Sequence, residues 1–186
     1  MTRVTSTRSA KKPLHTLVRY LPDAAATSHV GAALAPLLSG GMIVTLQGDL
    51  GVGKTTLVRG VLRARGQKGP IKSPSYGLVE HYSFSSIYFY HIDFYRFANP
   101  SEWETAGLAE CFRADAVCLV EWPEHAGPFL PRADLALSLA LLPPRDGRLL
   151  AGIRNRTKRL AVIKLQAAVG DAAQVARRRL RQPGAL

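Results

Sequence analysis

The chain has 186 residues, 47% of them apolar and 20% charged, which suits one soluble globular domain with a core of useful size. No apolar run approaches the roughly 18 residues that would span a bilayer, and the basic opening MTRVTSTRSAKK leads into no apolar stretch, which excludes a secretory signal and leaves an organellar transit peptide as a minor alternative. The net charge of +12 suggests nucleic acid, but its distribution argues otherwise. Residues 1–19 carry five basic side chains and no acid, and residues 154–186 carry nine basic side chains and one acid, Asp171. The stretch 20–153, with 11 basic and 12 acidic residues, is close to neutral. This divides the chain into a flexible basic N-terminal extension (1–19), a globular domain (20–153) and a basic C-terminal extension (154–186), helical or partly disordered. Cys111 and Cys118 match no common zinc or redox spacing and read as buried, reduced thiols of a cytoplasmic protein.

In chain order, Pro22-Asp23 and Thr27-Ser28 mark a loop and a helix start. His29 to Leu38 reads as a helix that Pro36 ends or kinks, with Gly40-Gly41 as a stop. Met42 to Gln47 is a short apolar run of the kind found in buried strands. A glycine-bearing loop, Gly48 to Gly53, leads into a helix over Lys54 to Arg65, with Gly66 just past its end. Gly69 to Ser75 holds two prolines and reads as extended loop. Tyr76 to Phe84 and Ser86 to Asp93 suggest strands. Ser101 with Glu104 forms a capping box for a helix over Pro100 to Cys111. Ala116 to Glu121 is a second buried strand, and Pro128 and Pro131 mark a loop. Leu135 to Leu142 and Leu149 to Ile153 flank a turn, PPRDGR, and read as a hairpin. Ala161 to Arg181 reads as a basic terminal helix. This order of elements predicts an α/β sandwich with a mixed central sheet flanked by helices.

Gly48-Asp49-Leu50-Gly51-Val52-Gly53-Lys54-Thr55 fits G-x-x-x-x-G-K-[ST] at every fixed position. Glycines free the backbone to turn its N–H groups inward, and the following helix points its positive end at the phosphates. Residues Asp49 to Thr56 therefore form the candidate nucleotide cradle. Lys54 reaches the β/γ-phosphate oxygens, and the Thr55 hydroxyl suits Mg²⁺, a hard ion that takes oxygen ligands. No guanine-specifying N-K-x-D element is present, so ATP is the expected nucleotide.

Hydrolysis also needs a carboxylate at the end of a nearby strand. Asp93 and Glu121 each end an apolar strand, and the residues alone do not divide the labour between them. His91 shares a strand face with Asp93 and is expected to orient it by a hydrogen bond, with a metal pair as the alternative. Arg96 and Trp122, next to these strand ends, are candidates for phosphate or partner contacts. Ser73, Pro74, Ser75 and Tyr76 lie where a nucleotide-sensing switch loop would sit.

The segments GDLGVGKTTLVRG, KSPSYGLVEHY, HIDFYRF and LVEWPEH, in this order, resemble the TsaE (YjeE) family, small bacterial P-loop ATPases of tRNA threonylcarbamoyladenosine synthesis. The resemblance runs from about Leu21 to Ile153. It implies a P-loop sheet flanked by helices. Lys54 and Thr55 would bind phosphate and Mg²⁺, Glu121 would be the Mg²⁺-associated acid, and Asp93 a second catalytic carboxylate. Ser73 to Tyr76 would belong to a switch loop, where Ser75 replaces the family's usual threonine. It further implies a Mg²⁺-dependent ATPase, weak alone, that drives the cycle of a complex with TsaB and TsaD. Contact with tRNA would run through that complex, and no membrane is involved. Two other classes compete: a small-molecule kinase on the same P-loop, and an RNA-binding protein acting through the basic tails.

Overall fold

The computed structural model describes residues 15–85, 87–100, 102–141 and 161–167. Among them the unbroken apolar runs build the middle of a sheet. Strands β2 (Ile43–Gln47) and β5 (Ala116–Glu121) lie side by side and parallel, and every residue of β5 is buried. Strands covered on both faces read as continuous apolar runs, and these two do. Around them stand β1 (His15–Leu21), β3 (Val79–Phe84), β4 (Ile87–Asp93), β6 (Leu135–Leu141) and β7 (Ala161–Ala167). The seven strands form one mixed sheet in the order β1-β7-β6-β2-β5-β4-β3. The four strands β6, β2, β5 and β4 are mutually parallel, while β3, β7 and β1 pair antiparallel with their neighbours.

Two layers cover the sheet. On one face lie α1 (Ala24–Leu34) and α2 (Lys54–Ala64), whose Val30, Leu34, Leu57, Val58 and Val61 pack on Val44, Leu46, Val117 and Leu119. The two helices meet closely through glycines. A Cβ on Gly60 would stand 2.0 Å from the Ser28 carbonyl oxygen, and one on Gly31 would stand 2.1 Å from that of Leu57. On the other face Ile43, Ile92, Cys118 and Val120 pack against Phe94, Phe97, Trp103 and Leu108. This second layer is mostly irregular, made of the four-residue α3 (Glu102–Thr105) and 3-10 segments at Leu108–Cys111 and Pro123–Phe129.

Several elements differ from the sequence expectation. The first helix starts at Ala24, because the Asp23 carboxylate accepts from the Ala26 N–H at 2.8 Å and serves as N-cap. Pro36 then sits in a 3-10 turn, Ala35–Leu37, that ends it. Arg65, at the end of α2, donates to the Ala35 and Leu38 carbonyls there. The helix expected over Pro100 to Cys111 is reduced to α3 and a 3-10 turn. Ser101 lies outside the described residues, and it is the Glu102 carboxylate that accepts from the Ala98 and Asn99 N–H groups. Residues 161–167 form a strand, not the start of a helix. Val162 and Ile163 are β-branched, and β1 and β6 supply backbone partners on both sides, so long-range pairing overrides the local helix preference. Residues 168–181 of that expected helix, and the Leu149 to Ile153 hairpin arm, lie outside the described residues. The sheet thus takes in 15–19 and 161–167, beyond the 20–153 span drawn from charge. Among the described residues no helix is long and apolar enough to cross a membrane.

Candidate active site

The loop after β2 turns back over the end of β6. Gly48, Gly51 and Gly53 take φ values of +134°, +75° and +116°, a region that side chains disfavour. At Gly48 a Cβ would also stand 2.1 Å from the Leu139 carbonyl oxygen. Gly53 forms the start of α2, whose first N–H groups therefore face the loop. Lys54 is only 4% exposed. Its Nζ donates to the Gly48 carbonyl at 2.6 Å and the Asp49 carbonyl at 3.0 Å, and lies 3.8 Å from the centre of the Trp122 ring. Burial lowers the Lys54 pKa, outweighing the opposite pull of Glu121 and Asp93.

Asp93 and Glu121 are register partners at the ends of β4 and β5, and each is 2% exposed. Glu121 Oε2 accepts from the Thr55 hydroxyl at 3.2 Å, and Oε1 accepts from His91 Nε2 at 2.8 Å. Asp93 Oδ2 accepts from the Ser73 hydroxyl, and Oδ1 accepts from the Tyr95 N–H at 2.9 Å. His91 was expected to orient Asp93, but its hydrogen bond goes to Glu121. His91 pairs in register with Leu119, so Glu121 stands diagonally across from it and its longer side chain reaches back.

Lys54, Thr55, Ser73, Asp93 and Glu121 line a cleft of about 380 Å³ at the C-terminal ends of β2, β5 and β4. Ligands commonly bind outside the carboxyl ends of strands in parallel sheets. Its rim carries Tyr76, 86% exposed, with the Arg96 guanidinium 4.1 Å from its ring centre. Trp122, held at φ +57°, packs against Tyr95 with its ring tilted by 47°, at 5.1 Å between ring centres.

The residues fit a nucleotide triphosphate with magnesium. A loop too tight for a Cβ, one enclosed ammonium and a helix start suit phosphate oxygens. Thr55, Glu121 and Asp93 offer hard oxygen donors. Among the described residues no cluster of three or more His, Cys, Asp and Glu side chains could hold a metal unaided. Magnesium commonly takes one or two carboxylates and completes its shell with phosphate and water.

A family model described as threonylcarbamoyl adenosine biosynthesis protein TsaE matches residues 21–146. The chain belongs to the TsaE family. Among its relatives is the tRNA threonylcarbamoyladenosine biosynthesis protein TsaE of Haemophilus influenzae, 40% identical over 131 residues, covering 68% of this chain and 83% of that one. The protein of the same name in Bacillus subtilis is 34% identical over 111 residues, 60% of this chain and 69% of that one. The crystal structure of Bacillus subtilis YdiB superposes with a TM-score of 0.67 over 91% of this chain and 96% of that chain, at 24% identity, and shares the α/β fold.

Within this TsaE chain the cleft gathers Leu50, Gly51, Gly53, Lys54, Thr55 and Thr56 of the cradle. It also takes Ser73, Ser75 and Tyr76 of the expected switch loop, the two carboxylates, Arg96 and Trp122. Three expected residues stand apart from its lining. Asp49 is exposed and contributes its carbonyl to Lys54, Val52 is packed in the core, and Pro74 is buried. Sequence reasoning passed over two lining residues, Arg59 and Tyr95. Arg59 follows Thr55 by four residues, one helical turn, and its Nε donates to the Ile71 carbonyl at 2.8 Å, tying α2 to the chain that leads into Ser73. Tyr95 follows Asp93 by two residues in the HIDFYR segment, which was the available signal.

Proposed function

We propose that this TsaE chain binds ATP with magnesium and hydrolyses it, and that hydrolysis drives the cycle of a tRNA threonylcarbamoyladenosine-forming assembly built with TsaB and TsaD homologues. The observation that carries the reading is the convergence of Lys54, Thr55, Glu121 and Asp93 on one cleft at the start of α2. Magnesium, when bound with the nucleotide, would neutralise charge on the β- and γ-phosphates. Lys54 has to turn its ammonium from the Gly48 and Asp49 carbonyls toward phosphate oxygens. Thr55 and Glu121 would hold the ion, their side chains already joined by a hydrogen bond. Asp93 would orient the attacking water. Its two oxygens are held by Ser73 and by the Tyr95 N–H, so the carboxylate is coupled to the Ser73–Tyr76 loop. This division gives Glu121 the fixed metal role and Asp93 the role that senses the loop.

Two features support low turnover by the chain alone. Arg96 is stacked on Tyr76 at the rim, and Arg59 is engaged with the Ile71 carbonyl, so neither guanidinium is committed to the phosphate cradle. Phosphoryl transfer gains greatly from a positioned arginine. Turnover of ATP measured with and without the TsaB–TsaD pair is expected to rise at least tenfold when the pair is added. Glu121→Gln and Asp93→Asn should each lose roughly a hundredfold or more in stimulated turnover at saturating ATP and Mg²⁺. Turnover that stays at the free-protein level with active partners would defeat the assembly part of the proposal.

A further inference from the structure

His91 is 0% exposed, lies on β4 two residues before Asp93, and spends its Nε2 on Glu121. Its Nδ1 is buried and has no hydrogen-bond partner among the described residues. An interior imidazole with one nitrogen unpartnered is a poor choice for packing, since an apolar side chain would fill the space without a desolvated polar atom. What the ring does provide is one N–H at the carboxylate. Facing a carboxylate acceptor, Nε2 is the ring nitrogen that donates. With Oε1 held there, Oε2 is the oxygen turned to the Thr55 hydroxyl.

We infer that His91 is the positioning residue of the magnesium site, acting through Glu121: its Nε2–H locks the carboxylate rotation so that Oε2 and the Thr55 hydroxyl present a preformed oxygen pair. The inference rests on the reading of the cleft as a magnesium–ATP site. Groups that orient a ligating side chain commonly contribute ten- to a hundredfold to metal affinity. The chain Thr55–Glu121–His91 joins the start of α2, the end of β5 and the middle of β4. It is separate from the Ser73–Asp93 contact, so the two carboxylates are held by different parts of the fold.

The test is a Mg²⁺ titration of the full chain with a fluorescent N-methylanthraniloyl ATP, alongside binding of the same nucleotide in EDTA, for wild type, His91→Leu and His91→Gln. In His91→Leu the Mg²⁺ concentration at half-effect should rise about tenfold or more, while affinity in EDTA stays within about twofold. In His91→Gln, whose amide nitrogen stands close to the place of Nε2, the Mg²⁺ midpoint should return to within about threefold of wild type. Should His91→Leu fail to fold, His91→Asn takes its place, a polar side chain too short to reach Oε1, with the same outcomes. A leucine (or asparagine) variant with a wild-type Mg²⁺ midpoint overturns the inference. So does equal loss in EDTA and in Mg²⁺, or a glutamine variant that behaves like leucine. A wild-type chain that binds no nucleotide at all overturns the reading of the cleft itself, which is a separable result.

Discussion

An ammonium group as enclosed as that of Lys54 needs its solvation replaced by the protein, and two backbone carbonyls and the face of Trp122 replace it. The contiguous motif Gly48 to Thr55 made this lysine legible in the sequence, because loop, lysine and helix start follow one another along the chain. The platform under it was not legible, since Trp122 comes from the end of a different strand. The same holds for His91. Its face on β4 follows from alternation, but its partner depends on how β4 and β5 are staggered, and that is set by the whole sheet. Cys118 shows a residue whose environment the sequence did give. It is buried in β5 and donates to the Cys111 carbonyl at 3.2 Å, and burial pushes its pKa up to about 12 from 9.0. Because the native pKa is the higher one, the unfolded thiol ionises first as pH rises. The stability tied to a neutral Cys118 is intact below about pH 9 and is lost progressively toward pH 12. At pH 8 under native conditions, a thiol reagent should label the partly exposed Cys111 first and leave Cys118 unlabelled until urea is added. Equal rates for both thiols would contradict this placement.

The α1–α2 pair is held by contact that only glycine permits. Gly60 brings its α-carbon against Ser28, and the space for a methyl group is taken by a backbone carbonyl. Gly60→Ala gains about 1 kcal/mol in helix propensity but forces the helices apart, at a cost of roughly 2–4 kcal/mol. A net loss of about 1–3 kcal/mol is expected in urea unfolding, with a lower midpoint and an unchanged slope. An unchanged or raised midpoint would show that the helices part freely. Elements with strong local signals were readable: the β2 and β5 runs, and α2 with leucine and valine at helical spacing. The strand at 161–167 was not, because its reason for being extended is the presence of β1 and β6 on either side. The second layer was also hard to read. It is held by aromatic contacts such as Phe94 with Phe97 at 4.9 Å and Trp103 with Phe112 at 5.1 Å, and these leave no periodic pattern.

Over the whole molecule, the parallel strands β2, β5 and β4 bring their carboxyl ends to one rim, and every polar group of the proposed chemistry lies there or at the start of α2. The proposed phosphate site would draw on the N–H groups at the start of α2 and on one enclosed lysine. ATP binding should therefore hinge on Lys54. Calorimetric titration of the full chain with a β,γ-imido analogue of ATP and Mg²⁺, in wild type and Lys54→Ala, addresses this most directly. One site per chain is expected, with affinity at least about a hundredfold weaker in Lys54→Ala, the loss expected for charged hydrogen bonds to phosphate. Absence of heat in wild type, or equal affinity in both proteins, would contradict it.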